Sequence, residues 1–183
     1  VTNGVFRSKG SYACFGNPEW KNYAVSFKAR APKDAEQVQI WAGFRANNRF
    51  DRYVVGIKGG LQDDLYLMRM GYMGTDEFLG VRPLGFHPVP GQWYKLKVEV
   101  CGSRIRVFVN DEKKPHMDIV DKNSNLAPSG PVTLGGGWIE TEFDDLVVTS
   151  LEENALNDVA VSEYGKVVTP QEKESLRKQQ RAT

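Results

Sequence analysis

Residues Gly91–Asn110, with the sequence GQWYKLKVEVCGSRIRVFVN, decide the fold of this chain. The first half alternates polar or charged positions with apolar ones, which are Tyr94, Leu96, Val98 and Val100. The second half repeats the alternation with Ile105, Val107 and Val109. A period of two is typical of antiparallel strands that pack one face on a core. Because Gly102 and Ser103 supply a tight turn between the halves, the sequence predicts a β-hairpin.

Strand-like segments of the same kind recur from about Tyr12 to Leu151. They cover residues 23–30, 38–45, 52–58, 65–70, 78–84, 131–135 and 142–149, with Gly, Pro and Asn between them. Many short strands at regular spacing are typical of a β-sandwich or barrel. Since no amphipathic helical pattern interrupts them, an α/β fold is not expected. Residues 1–151 are therefore predicted to form an all-β domain.

The composition changes after Leu151. Thr169 can cap a helix, Pro170 suits its first position, and Glu172 completes a capping box. The segment 169–181 has Leu176 as its only large aliphatic residue, so this helix cannot stabilise itself by burial. We expect residues 152–183 to form a linker and a polar helix that lead toward a further domain.

The bulk properties exclude several functional classes. A net charge of +1, with both signs interspersed, argues against an electrostatic binder of nucleic acid. No apolar run approaches the roughly 20 residues that a membrane-spanning helix needs. The first residues lack the pattern of a signal peptide. Cys14 and Cys101 do not make a disulfide framework, and we expect two buried free thiols.

Four stretches resemble concanavalin A-like β-sandwich domains of the laminin-G-like group, which includes the keto-disaccharide hydrolase-like domains. They are the hairpin with its Gly-x-Trp-Tyr entry, the early strand 20–30, the strand pair 42–45 and 52–55, and the closing strand 143–148. Their order along the chain matches that group. The polar end at 179–182 is similar to linkers that join such domains to glycoside hydrolase family 2 (β-galactosidase-like) enzymes.

The resemblance implies a jelly roll of two curved antiparallel sheets whose concave face often binds glycans in this family. It also implies a secreted bacterial protein, extracellular or periplasmic, with a downstream catalytic domain in the same chain. Fold alone does not determine function. The residues that could carry the function therefore need separate arguments.

The segment 38–45 carries side chains suited to a sugar. With Val38, Ile40, Ala42 and Phe44 in the core, the residues on the opposite face are Gln39, Trp41, Gly43 and Arg45. An indole offers a flat apolar surface to the C–H face of a pyranose, and Gln and Arg bond hydroxyl groups. The alternative is that a loop covers Trp41 and that Arg45 pairs with a carboxylate.

The next two strands add further candidates for the same groove. Arg69 interrupts an apolar strand, so it points either into a groove or toward an acidic partner such as Asp63 or Asp64. Tyr53 and Tyr66 would add hydroxyl groups to this surface. Both strands are apolar on both faces, so a place in the core is the alternative for these tyrosines.

Trp138 follows three glycines, Gly135 to Gly137, with Glu140 nearby. Glycines permit unusual backbone conformations and close approach, which can hold an aromatic side chain at the rim of a site. The alternative is a simple turn whose tryptophan packs down.

The sequence contains no convincing catalytic or metal centre. Asp144 and Asp145 are candidates for a metal site, but neighbours on a strand point to opposite faces. Calcium needs six to eight oxygen ligands, so no metal site is assigned and calcium stays open. Glycosidase chemistry needs two facing carboxylates, and nothing pairs Glu99, Glu140 or Glu142 in this way.

These observations favour a non-catalytic accessory domain that binds an oligo- or polysaccharide and belongs to a larger glycoside hydrolase. No cofactor is expected. The ligand-binding candidates are Trp41, Arg45, Arg69, Trp138, Gln39, Tyr53 and Glu140. Two alternatives stay open: a stand-alone sugar hydrolase of the keto-disaccharide type, and a structural spacer.

Overall fold

A computed structural model describes residues 4–47, 51–60, 62–71 and 76–156 of the chain. The strands are β1 (Phe6–Ser8), β2 (Tyr12–Phe15), β3 (Tyr23–Arg30), β4 (Gln39–Phe44), β5 (Arg52–Lys58), β6 (Asp64–Met70), β7 (Glu77–Pro83), β8 (Tyr94–Cys101), β9 (Arg104–Val109), β10 (Met117–Val120), β11 (Val132–Gly135) and β12 (Thr141–Ser150). A short 3-10 helix, Ser124–Leu126, precedes β11.

The strands form two six-stranded antiparallel sheets that pack face to face. The front sheet has the order β2-β11-β4-β5-β6-β7, and the back sheet has the order β1-β12-β3-β8-β9-β10. Their inner faces share one hydrophobic core. The predicted all-β sandwich of the jelly-roll type is confirmed.

Strict alternation produces this core. In β3, Val25 and Phe27 point inward and lie opposite Val98 and Leu96 of β8. All four side chains are at most 2% exposed. Burying an aliphatic or aromatic side chain of this size contributes about 1.5–3 kcal/mol. Burial of these alternate residues therefore contributes much of the free energy that holds the two sheets together.

The hairpin predicted from Gly91–Asn110 is present as β8 and β9. Its strands pair through Cys101 and Arg104, and the turn between them contains Gly102 at a φ of 55°. The other predicted strands match within about two residues. The short strands β1, β2 and β10 are not covered by any of the predicted segments.

The segment after β12 stays attached to the hairpin. The guanidinium of Arg104 donates a hydrogen bond from Nη1 to the carbonyl of Leu156 at 2.8 Å, and the Cys101 thiol lies 2.9 Å from the carbonyl of Glu153. Residues 157–183, including the predicted polar helix, lie outside the described residues. The domain boundary at residue 151 stays a prediction.

Two smaller expectations concern the thiols and the membrane. Cys101 is buried as expected, but Cys14 is exposed, because it lies on the outer face of β2. Both are free thiols. Within the described ranges, no helix has the length and apolarity required to cross a bilayer.

Candidate functional site

The outer face of the front sheet carries the aromatic residues that the sequence placed there, together with others. Strand register puts Trp41 of β4 opposite Gly56 of β5, Gly56 opposite Tyr66 of β6, and Tyr66 opposite Val81 of β7. Phe78 of β7 lies opposite Met68, the next outward residue of β6. This face therefore brings together side chains from four neighbouring strands.

Trp41, Tyr66 and Phe78 form what we call the aromatic row. The rings of Trp41 and Tyr66 meet edge to face, with centroids 6.0 Å apart and planes at 72°. Tyr66 and Phe78 repeat the arrangement at 6.2 Å and 71°. Edge-to-face contacts are favourable for aromatic pairs. Phe78 is 53% exposed and Trp41 is partly exposed, while Tyr66 between them is 7% exposed.

Gly56 makes the aromatic row possible. A Cβ atom at this position would lie 2.5 Å from the carbonyl oxygen of Ile40 and still closer to the hydroxyl of Tyr66. The phenol of Tyr66 thus lies directly over the glycine and reaches toward β4. A side chain at position 56 would displace it.

Two polar atoms of the row have no partner. The indole Nε1 of Trp41 and the hydroxyl of Tyr66 are buried and make no hydrogen bond within the described part of the chain. Burial raises the pKa of Tyr66 well above its ordinary value, so this hydroxyl stays protonated. An unsatisfied buried polar group costs about 1–3 kcal/mol. The chain therefore keeps two unused hydrogen-bonding groups beneath the surface of the row.

Trp138 lies at the rim of the same face and is 76% exposed. The side-chain carbonyl of Gln39 holds its loop, since Oε1 accepts hydrogen bonds from the backbone N–H groups of Trp138 at 2.6 Å and Ile139 at 3.2 Å. Gln39 and Trp41 share one face of β4. Both are therefore found near the predicted groove, and Gln39 positions the loop that presents Trp138.

A stacked pair lies beside the same glycine loop, close to Gly136. The guanidinium of Arg52 lies 4.3 Å over the ring of Tyr12 from β2. A cation over an aromatic face is stabilised by the quadrupole of the ring. Arg52 and Tyr12 were not among the sequence candidates.

The prediction that Arg45 lies on the outer face is wrong. The chain turns at Arg45, whose φ is 47°, and the side chain is 2% exposed. Its guanidinium donates from Nε to the carbonyl of Lys21 and from Nη1 to the carbonyl of Gly102, both at 2.8 Å. The alternative that it pairs with a carboxylate is wrong as well, because these acceptors are neutral.

The prediction that Arg69 and Tyr53 face the groove is also wrong. Both point between the sheets, where Arg69 pairs with Asp121 and Glu77. The hydroxyl of Tyr53 donates to Asp121 at 2.7 Å. Burial opposes ionisation of Asp121, but the hydrogen bond from Arg69 and further donors lower its pKa below the ordinary value. This cluster fastens the two sheets together.

The remaining candidates do not form a catalytic or metal site. Asp145 pairs with Lys28 at 2.5 Å, and its backbone N–H bonds to Asp144. Glu140 is partly exposed at the end of the glycine loop. Within the described ranges, no three His, Cys, Asp or Glu side chains come together in a way that could hold a metal ion.

Sequence reasoning left Tyr66 unassigned and missed Phe78, for a physical reason. Strand β6 is apolar on both faces, so alternation alone could not choose a side for Tyr66. The pairing register of β6 and β7 shifts between Leu67 and Met68, so alternation along β7 does not predict on which face Phe78 lies. The useful signal was Gly56, an isolated glycine in a strand that marks a close approach.

No known protein family matches the sequence, and no curated protein matches it. Solved structures match in fold. The carbohydrate-binding module CBM66 from Bacillus subtilis has a TM-score of 0.60 at 14% identity, covering 80% of this chain and 96% of that chain. Sheep galectin-11, in a complex with glycerol, has a TM-score of 0.53 at 15% identity, covering 77% of this chain and 98% of its own.

A fructosyltransferase from A. japonicus matches with a TM-score of 0.55 at 16% identity. The match covers 86% of this chain but 28% of the enzyme. At these identities the comparisons establish the fold alone. The chain has a lectin-like β-sandwich fold, and the predicted link to a β-galactosidase-like enzyme stays a prediction.

Proposed function

We propose that this domain binds carbohydrate on the outer face of its front sheet. The observation that carries the proposal is the aromatic row, with Trp138 at its rim, on the side of a sheet that faces away from the core. The ring of Trp41 is partly exposed and that of Trp138 is mostly exposed. Flat apolar rings suit the C–H face of a pyranose.

Polar groups at the margins supply the directional part of the interaction. Gln39 uses its carbonyl for the loop of Trp138, so its amide NH2 group is the part directed to a ligand. The buried N–H of Trp41 is a hydrogen-bond donor, and the buried hydroxyl of Tyr66 is both a donor and an acceptor. A small movement of the rings would expose both groups to a ligand. Pockets that combine apolar walls with a few polar groups are typical of small-molecule sites.

The likeness in fold supports the same proposal. One neighbour is named as a carbohydrate-binding module and another is a galectin. The fructosyltransferase match supports the accessory role, because there the fold forms one part of a larger enzyme chain. We infer that the domain serves a larger sugar-processing protein, and tethering would then raise the effective concentration of its enzyme at the glycan.

Ion pairing of the acids supports a binding function over a catalytic one. Glu142 is buried and contacts Arg7 and Arg30 at 2.6 Å each, and Glu99 contacts Lys97 at 2.6 Å. A glycosidase needs two carboxylates that face each other across the substrate. These acids face basic side chains instead.

The test compares two tryptophans on opposite sides of the sandwich. Wild-type protein, Trp41→Ala and Trp93→Ala are screened on a glycan array, and affinities for the best ligand follow by calorimetry. Trp93 is the matched control because Arg30 stacks over its ring at 4.4 Å on the back sheet. We expect Trp41→Ala to weaken binding about tenfold, or ~1.4 kcal/mol, and Trp93→Ala to leave it unchanged.

Binding to no glycan at millimolar concentration would overturn the proposal in favour of the spacer. Equal losses in the two variants would also overturn it, because the aromatic row would then have no special role. Turnover of a chromogenic glycoside would establish the hydrolase alternative.

A further inference from the structure

A polar cleft of about 330 Å³ opens at one end of the sandwich, away from the aromatic row. We call it the end cleft. It lies where the loop before β3, the turn of the β8–β9 hairpin and the 3-10 helix meet. Its lining consists of Lys21, Asn22, Arg45, Gly102, Ser103, Ser124, Asn125, Pro128 and Glu153.

Arg45 is the unusual residue of this lining. It is 2% exposed, and its guanidinium contacts only neutral oxygen atoms: the carbonyls of Lys21 and Gly102, and the Asn22 Oδ1 atom at 3.4 Å. Burial lowers the pKa of Arg45, which expresses the cost of holding a cation away from water. The remaining N–H groups of the guanidinium have no acceptor in the described ranges.

Three other arginines of the molecule each contact an acidic side chain. Arg30 contacts Glu142, Arg69 contacts Asp121, and Arg104 contacts Asp118 at 2.7 Å. A buried charge is expensive unless an opposite charge accompanies it. Arg45 lacks such a partner among the described residues, and the space beside it is open. An anion that neutralises Arg45 would therefore lie in the end cleft.

The rest of the lining determines what kind of anion fits. Lys21 adds a second positive charge, and the amides and hydroxyls of Asn22, Ser103, Ser124 and Asn125 offer hydrogen bonds. Glu153 contributes one carboxylate, which can accept a hydrogen bond from a hydroxyl group but repels a second anionic group on its side. The planar fork of a guanidinium matches a planar carboxylate. A ligand with one carboxylate and several hydroxyl groups meets all of these conditions.

We propose that the end cleft binds the carboxylate of an acidic sugar, a uronic acid. The carboxylate lies against Arg45 and Lys21, and the hydroxyl groups reach the serine and asparagine side chains and Glu153. This site is separate from the aromatic row, so it stands or falls independently of the proposed function of that face.

The experiment titrates the protein with glucuronate and galacturonate, with glucose, galactose, acetate and inorganic phosphate as controls, and follows backbone amide shifts by NMR. We expect millimolar binding of at least one uronate, weaker binding of acetate, and no binding of the neutral hexoses. Raising the salt from about 0.05 to 0.5 M should weaken uronate binding severalfold, because exposed charge is screened.

Variants locate the site. Lys21→Gln removes a charge and Asn125→Ala removes a donor, and neither side chain supports the fold through a hydrogen bond in the described residues. Each should weaken uronate binding at least threefold and shift resonances around Gly102 and Ser124. Arg45→Lys keeps the charge but loses the fork, and its folding is checked by circular dichroism. Trp41→Ala is the control and should leave uronate binding unchanged.

Three results would overturn the inference. The first is that neither uronate binds at a concentration of ~20 mM, well above the millimolar Kd that we expect. The second is that phosphate or acetate binds as tightly as the uronates, which would point to an unselective anion site. The third is that Trp41→Ala abolishes uronate binding while Lys21→Gln and Asn125→Ala do not.

Discussion

The outer faces of the two sheets are built by the same alternation but present opposite chemistry. On the back sheet, charged side chains neutralise one another, with Lys97 against Glu99 at 2.6 Å and Arg104 against Asp118 at 2.7 Å. On the front sheet, the aromatic row keeps two polar atoms without partners. On the back face, Nε and Nη2 of Arg106 also lack a hydrogen bond, but this guanidinium still contacts the carboxylates of Asp118 at 3.4 Å and Glu99 at 3.8 Å.

This difference is the reason for placing the proposed site on the front sheet. A sheet that packs on a core needs only its inner face to be apolar, and the outer face is free to be polar. The back sheet uses that freedom for ion pairs, of which Lys97–Glu99 is partly exposed and Arg104–Asp118 is buried. The front sheet instead exposes rings and buries unpaired groups, which lowers stability and is typical of sites under a functional constraint.

The largest expected effect is at Asp121, which lies between the two sheets. Asp121→Asn should destabilise the fold by about 3–5 kcal/mol, because it removes the buried partner of Arg69 and leaves that buried guanidinium only the half-exposed carboxylate of Glu77. Asp111→Asn, which removes the exposed partner of Lys95 on the back sheet, should change stability by less than about 1 kcal/mol. Urea unfolding of both variants measures the contrast, and similar values would contradict it.

The same carboxylate gives the sandwich a dependence on acid. Because the pKa of Asp121 is lowered in the folded state, its contribution is complete above the ordinary value of 3.8 and declines as the pH falls below it. As the pH drops below about 4, the stability of wild-type protein should therefore fall more steeply than that of Asp121→Asn. Parallel slopes for the two proteins in urea unfolding at several pH values would rule this out.

The next effect tests the support of the aromatic row. Gly56→Ala places a Cβ atom against the backbone of Ile40 and the hydroxyl of Tyr66, so we expect a loss of about 1–3 kcal/mol. Ala24→Val on the back sheet is the control, since it adds volume to a partly exposed position and should cost less than about 0.5 kcal/mol. Thermal unfolding compares them, and near-UV circular dichroism reports whether the Tyr66 environment changes.

The smallest effect separates stability from binding. Tyr66→Phe removes an unsatisfied buried hydroxyl, so the fold should become more stable by up to about 1 kcal/mol. If the hydroxyl serves a glycan, affinity should fall about threefold at the same time. Tyr94→Phe is the control, because the hydroxyl of Tyr94 accepts a hydrogen bond from the backbone N–H of Val89 at 2.6 Å and its loss should destabilise the fold. A stabilised Tyr66→Phe with undiminished affinity would remove Tyr66 from the site.

The sequence predicted the fold well because most strands alternate clearly. The β3 and β8 segments leave no doubt about which side faces the core, and their pairing follows. The strands β1, β2 and β10, with three or four residues each, are too short for a period of two to be recognised. They join the sheets through backbone hydrogen bonds that side-chain patterns do not reveal.

The sequence predicted part of the proposed site, and its errors have two causes. Trp41 and Gln39 were placed correctly because β4 alternates up to Phe44, whereas Arg45 falls just after the strand, where the chain turns. Tyr53 and Arg69 were assigned to the groove because β5 and β6 are apolar on both faces. When the outer face of a strand is as apolar as its inner face, alternation no longer shows which side faces the core.

The attachment of the chain after β12 has a mechanical consequence. Leu156 is 3% exposed, and its carbonyl is gripped by Arg104, which Asp118 holds in turn on the back sheet. The polypeptide that continues beyond the described residues is joined to Leu156, which its buried side chain and the hydrogen bond from Arg104 fix to the back sheet. Force or torque arriving along that polypeptide would pass into the hairpin first and reach the front sheet only through the packed interior.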